Sequence, residues 1–208
     1  MFYWKNNLIK IRSFLHLFGI ASVLMFSISA CDQRGVQYAG YYPIDSLVSS
    51  QVRFLTEAKA STQKVAMLGE KEEKQTIQPK DSTGWMNELD IFHELKTLNK
   101  PINVGAYKVE DGLTDSRSNL KIKTIVTDKE LPVRSMKIYY YGKPENVRRI
   151  EAQFKEVNSL YSSTRFLTME FQDVYNKPVL SSYSVNGGQK MFLGDTVVFS
   201  VKGNIMLQ

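Results

Sequence analysis

Few residues in this 208-residue chain have the type and spacing to do chemistry. There is one thiol, Cys31, and there are two histidines, His16 and His93. His93 lies between Phe92 and Glu94, beside an apolar helical stripe. A general base at that position is one reading and a boundary histidine the commoner one. With so few histidines and one cysteine, neither a thiol–histidine nucleophile nor a histidine-rich zinc site can be assembled downstream of Cys31. Enzymes built on Ser/Lys or paired carboxylates need no histidine and stay open as a minor alternative. Glu70, Glu72 and Glu73 cluster in what reads as an exposed turn. Asp111, Asp115 and Asn119 lie close together, but without EF-hand spacing or a closing acid, so a plain inter-strand turn is expected. Gly142-Lys143 is followed by Pro144, which rules out a Walker-type phosphate loop, and no G-x-G-x-x-G occurs. No catalytic, metal or cofactor residue is therefore assigned, and a non-enzymatic protein is expected.

Charge is distributed unevenly. Residues 116–165 hold 11 basic and 5 acidic residues. Lys121, Lys123, Lys137, Arg149 and Lys155, with Tyr139–Tyr141, could face anionic lipid or single-stranded nucleic acid. A solvated sheet face is the simpler expectation, and no nucleic-acid partner is expected.

The lone thiol gains meaning from its surroundings. Lys5, Lys10 and Arg12 precede residues 13–30, which contain no Asp, Glu, Lys or Arg, and Ser29-Ala30 stands immediately before Cys31. That is a basic n-region, an apolar h-region and a small-residue cleavage site. A membrane-spanning anchor competes, since 18 helical residues reach about 27 Å against a hydrocarbon layer of about 30 Å. His16, Ser22, Ser27 and Ser29 weaken such a span, and the small exit residues favour cleavage.

Ile28-Ser29-Ala30-Cys31 resembles the lipobox of bacterial lipoprotein signal peptides, with Ile28 where Leu is usual. The resemblance covers residues 1–31. It implies diacylglycerylation of the Cys31 thiol, cleavage before it and acylation of the new N-terminus. Two or three acyl chains, at about 0.8 kcal/mol per buried CH2, would hold the chain stably at a bilayer. The implied location is the cell envelope, facing the periplasm or the cell surface. No second cysteine remains for a disulfide, so the domain must be stable through packing.

The elements that follow read in order. Residues 1–30 are the signal peptide, 31–40 the lipidated cysteine with a short polar tether, and 41–208 a single globular domain. The tether spans at most about 30 Å. Ile44, Leu47, Val48, Val52 and Leu55 follow helical spacing after Pro43 and Asp45. Residues 64–78 read as two short strands bending at Gly69, with a frayed helix as the alternative. Asp81, Ser82 and Thr83 offer caps to a second helix whose stripe is Trp85, Leu89, Phe92 and Leu95, ending at Asn99-Lys100-Pro101.

From residue 102 the apolar period is two, with turn signals at Asp111-Gly112, Gly142-Lys143-Pro144, Asn176-Lys177-Pro178, Asn186-Gly187-Gly188 and Gly194-Asp195. Leu120 and Ile122, Ile150, Ala152 and Phe154, and Leu167, Met169 and Phe171 form the alternating apolar sets. The expected fold is α+β: two N-terminal helices packed on an antiparallel meander of about 7–9 strands, curled toward a half-barrel.

Two functions suit that outline. One is a lipid-anchored accessory or assembly module that binds another envelope component. The other is an apolar-ligand or lipid-binding carrier, because a meander curled round helices resembles, in architecture alone, the half-barrel of periplasmic lipoprotein-carrier proteins.

Overall fold

The computed structural model describes residues 40–207. Cys31, the expected signal peptide at 1–30 and the expected tether as far as residue 39 lie outside the described residues. Contacts divide the chain into Met1–Tyr38 and Ala39–Gln208, and the second unit is the one described below.

Among the described residues, two helices and nine strands follow one another as helix, hairpin, helix and a run of seven strands. α1 (Ile44–Glu57) buries Ile44, Val48, Gln51, Val52 and Leu55 on one face. β1 (Ser61–Leu68) and β2 (Lys71–Ile77) form a hairpin through Gly69-Glu70. α2 (Ser82–His93) starts at Asp81, whose carboxylate accepts the Gly84 N–H at 2.9 Å and so satisfies one of the orphan donors at the helix start. It buries Trp85, Leu89 and Phe92. The chain then tightens into 3-10 turns at Glu94–Asn99 and Pro101–Asn103, which carry Leu95 and Leu98 into the core.

The remaining strands are β3 (Lys108–Thr114), β4 (Lys121–Val126), β5 (Val133–Tyr140), β6 (Val147–Val157), β7 (Tyr161–Val174), β8 (Lys177–Met191) and β9 (Thr196–Met206). All pair antiparallel in one open sheet of order β2-β1-β9-β8-β7-β6-β5-β4-β3. The meander β3–β9 is thus extended by a hairpin drawn from the N-terminal side of the domain. No described helix is long and apolar enough to cross a membrane.

One face of the sheet carries the core. Ile138, Ile150, Met169 and Tyr183 line up across β5–β8, and the neighbouring row is Met136, Ala152, Leu167 and Val185. These join the buried stripes of α1 and α2 in one apolar cluster. Burying each large side chain contributes roughly 1.5–3 kcal/mol, so this cluster supplies the stability that a disulfide-free domain requires.

Three local expectations are corrected. Asn186-Gly187-Gly188 is no turn: it continues β8, which runs unbroken from Lys177 to Met191. Gly187 sits there because a Cβ would lie 2.8 Å from Phe199 Cζ on β9 and 2.5 Å from the Thr164 carbonyl oxygen. Asp111-Gly112 is likewise inside a strand, at a bulge in β3 between Glu110 and Leu113. In β4 the core residue is Ile125, which shares its face with Lys121 and Lys123 rather than with Ile122.

Candidate functional site

The polar groups that could do chemistry are best weighed by what already engages them. His93 ends α2 and is buried, with Nδ1 2.9 Å from Asp45 Oδ1 in the first turn of α1. A carboxylate at a helix start and an imidazole at a helix end each suit the local dipole, so the pair fastens the two helices together. Nε2 is buried without a hydrogen-bond partner, so no hydroxyl is held there as a nucleophile.

Glu88 on α2 forms a second cluster. It accepts the Tyr183 hydroxyl from β8 and lies 2.9 Å from Lys64 Nζ on β1. Burial, then the bond to Glu88, push the Tyr183 phenol well above its ordinary range. The ring fits only because its cross-strand partner is Gly203, where a Cβ would lie 2.2 Å from Tyr183 Cζ.

The other sequence-level candidates are dispersed. Asp111 accepts the Tyr140 hydroxyl at 2.6 Å, whereas Asp115 accepts Ser118 Oγ at 2.6 Å in the β3–β4 turn. Glu70 lies in the β1–β2 turn, while Glu72 and Glu73 lie on the edge strand β2. No trio of acidic, histidine or cysteine residues among the described ones is placed to hold a metal ion.

The basic block is divided between the two faces, and several of its cations are held in ion pairs. Lys123 approaches Asp111, Arg148 meets Asp173 at 2.7 Å, and Arg165 meets Glu156 at 3.0 Å and Glu94 at 3.4 Å. Arg149 lies 3.1 Å from Glu151 and stacks 4.1 Å over Tyr139. The geometry leaves no single basic stripe from these residues.

What remains is the sheet face opposite the helices. Its rows across β6–β9 read Arg149, Glu170, Ser182, Asn204; then Glu151, Thr168, Ser184, Lys202; then Gln153, Phe166, Asn186, Ser200. A shallow hollow of about 240 Å3 opens there between Thr168, Glu170, Ser184, Asn186, Ser200 and Lys202. Ser182 Oγ donates to Glu170 at 3.0 Å and Ser200 Oγ donates to Asn186 Oδ1 at 2.7 Å, which fixes these side chains without exhausting their bonding capacity. Phe166 is exposed amid the polar rows. An array of hydroxyls, amides and two opposite charges around one aromatic ring can bind a polar partner; it holds no histidine or thiol.

Sequence reasoning missed this surface. Its only signal was the run of polar residues at alternate positions, Thr168 and Glu170 on β7 and Ser182 and Ser184 on β8, which reads as an ordinary wet face.

The fold and this surface define an α+β domain with a helix-covered open sheet and a polar, hydroxyl-rich outer face. Comparison of the chain with protein-family models, with curated proteins and with solved structures finds no match.

Proposed function

We propose that this chain is a lipid-anchored cell-envelope protein whose domain is a non-enzymatic accessory or assembly module, binding another envelope component through the outer face of β6–β9. The observation that carries the reading is the array around Phe166: fixed polar side chains, a shallow hollow and an aromatic ring exposed on the face away from the core. Aromatic anchors within polar surroundings are the usual energetic centres of protein interfaces. The buried polar clusters support the same reading, because His93–Asp45 and Tyr183–Glu88–Lys64 tie helices to one another and to the sheet.

The carrier alternative needs an empty apolar hollow of several hundred Å3. Against it stands the packing of α1 and α2 on the apolar face, where Trp85, Leu89 and Phe92 fill the space an acyl chain would take. That packing favours the accessory module over a half-barrel carrier.

The experiment is photo-crosslinking in intact cells with a photoreactive amino acid at position 166 or 184, and at position 72 on the sheet edge as the control. A discrete adduct from 166 and 184 but not from 72 is expected. Equal, diffuse labelling from all three would sink the outer-face reading. The anchor is checked on the intact protein's mass, which should lack residues 1–30 and carry acyl groups.

A further inference from the structure

Most of the exposed large apolar side chains among the described residues gather at one end of the sheet. That end, here the upper end, is where β1, β4, β6 and β8 finish, as the registers Leu68 with Phe199, Val157 with Ser162 and Met191 with Tyr161 require. Phe192 is 79% exposed, Leu193 88% and Leu160 67%, all in tight turns beyond the last paired residues. The two turns touch: the Phe192 N–H donates to the Leu160 carbonyl at 2.9 Å. Between them opens a groove of about 330 Å3, lined by Leu160, Met191 and Phe192, with Lys190 at its side. The β1–β2 turn adjoins, where Gly69 N–H bonds the Val198 carbonyl at 3.0 Å, bringing the exposed Leu68 and Val198 into the same zone. At the opposite end the turns Asp115–Asn119 and Gly142–Asn146 are almost wholly polar, and the large side chains most exposed there are the tyrosines Tyr141 and Tyr175, which carry a hydroxyl.

The chain also comes into the domain at the upper end. Asn99 accepts the Tyr41 N–H at 2.8 Å and donates to the Tyr42 carbonyl at 2.6 Å. The Tyr41 hydroxyl donates to the Asn103 carbonyl, and Tyr107 beside it donates to the carbonyl of Val133, the first residue of β5. Val133 pairs with Phe154 on β6, a few residues before Leu160. Neighbouring strands are about 4.8 Å apart, so the incoming chain and the apolar turns are separated by only a few strand widths.

We propose that the upper end is a bilayer-contact surface, with the turns at Leu160 and Phe192–Leu193 seated in the interfacial layer of the membrane. This rests on the lipid-anchor reading, under which the stretch from Cys31 to Gly40 holds the incoming chain within about 30 Å of the membrane. A tether that short, joined at the apolar end, presents that end to the lipid and turns the polar end away. Asp195 and Glu70 in the same turns limit the depth, since carboxylates are excluded from hydrocarbon, and Lys190 faces the headgroup phosphates. An exposed patch of this kind needs a partner, and the bilayer is the one that the point of chain attachment supplies.

The test uses the full chain in phosphatidylethanolamine/phosphatidylglycerol vesicles, with an environment-sensitive fluorophore on Leu193→Cys, on Leu160→Cys as a second site, or on Tyr175→Cys at the opposite end. Acylation blocks the Cys31 thiol, so each variant should carry one label, and the intact mass reports whether it does. Expected are a blue shift and several-fold stronger quenching by nitroxide lipids at 193 and 160 than at 175. Water-like emission at 193 and 160 in acylated protein overturns the bilayer contact and leaves the anchor standing. A blue shift without nitroxide quenching means a second copy covers the turns, and overturns it too. A mass showing two labels defeats the anchor reading separately. The contact is then read in the Cys31→Ser background with excess vesicles, where a quenched, blue-shifted probe upholds it and a water-like one overturns it.

Discussion

Tyr183 and Gly203 show how narrowly single residues set this fold. The tyrosine ring lies over the glycine across the β8–β9 pair, and Phe199 lies over Gly187 in the same ladder. Each aromatic ring covers backbone that a glycine leaves open. Gly203→Ala should therefore displace the ring and cost about 1–3 kcal/mol in chemical denaturation, an overpacking effect. A second outcome at this scale concerns pH. Burial foremost pushes the Tyr107 phenol up to about 12, and burial also raises the phenols of Tyr42 and Tyr183. A phenol harder to ionise when folded favours the folded state fully below the ordinary value of 10.0, and that contribution is lost as pH rises through the folded value. Denaturation midpoints should thus fall between about pH 10 and 12, and less steeply in Tyr107→Phe. Absorbance of tyrosinate against pH, read beside circular dichroism, checks whether these phenols ionise together with unfolding.

At the scale of elements, α1 is fastened to the sheet by one buried amide. Gln51 Nε2 donates to the Pro178 carbonyl at 3.0 Å, and its Oε1 accepts the Leu180 N–H at 2.8 Å. It does so where β8 slips register against β7, between Glu170 and Phe171, so the side chain bonds backbone groups of β8 beside that irregularity. Gln51→Ala leaves a buried donor and acceptor unmet, for an expected loss of roughly 2–4 kcal/mol in equilibrium unfolding. Gln51→Glu should not rescue it, because a carboxylate cannot donate to Pro178.

The helices were legible in the sequence, because Trp85, Leu89 and Phe92, and Val48, Val52 and Leu55, repeat at a spacing that only one backbone satisfies. So were the core rows of β6 and β7. Other features were not. Gly187-Gly188 looks like a turn unless one knows that Phe199 and Thr164 crowd the site from other strands. Ile125 and Ile122 both offer an apolar face to β4, and the pairing with β5 decides between them. Gln51 sits among polar residues until β8 arrives. The polar outer face depends on four strands lying side by side, which periodicity within one strand cannot report.

For the molecule as a whole, an open sheet has two edges to protect. β2 presents Lys71, Glu72, Glu73 and Lys74, and β3 is broken by its bulge. Charge and bulging both discourage a second sheet from adding to an edge. Replacing Glu72 and Lys74 together by Val should make the domain associate with rising concentration more strongly than the parent chain does, as sedimentation velocity would record. Sedimentation unchanged from the parent at every concentration would mean that the β2 backbone is shielded by something other than charge.

The place of β1 carries a consequence in time. Its neighbours are β2 and β9, so one side of the first strand made must wait for the last. Until β9 has been made, the hairpin has no sheet to join and Tyr183 has no Gly203 to lie against. Pairings this distant in sequence form late and slowly. A chain ending at residue 195 should accordingly fail to give a cooperative thermal transition, although both described helices and eight of the nine described strands are already present in it. Because its first described strand pairs with its last, the sheet cannot be completed until residues 196–206 have been made.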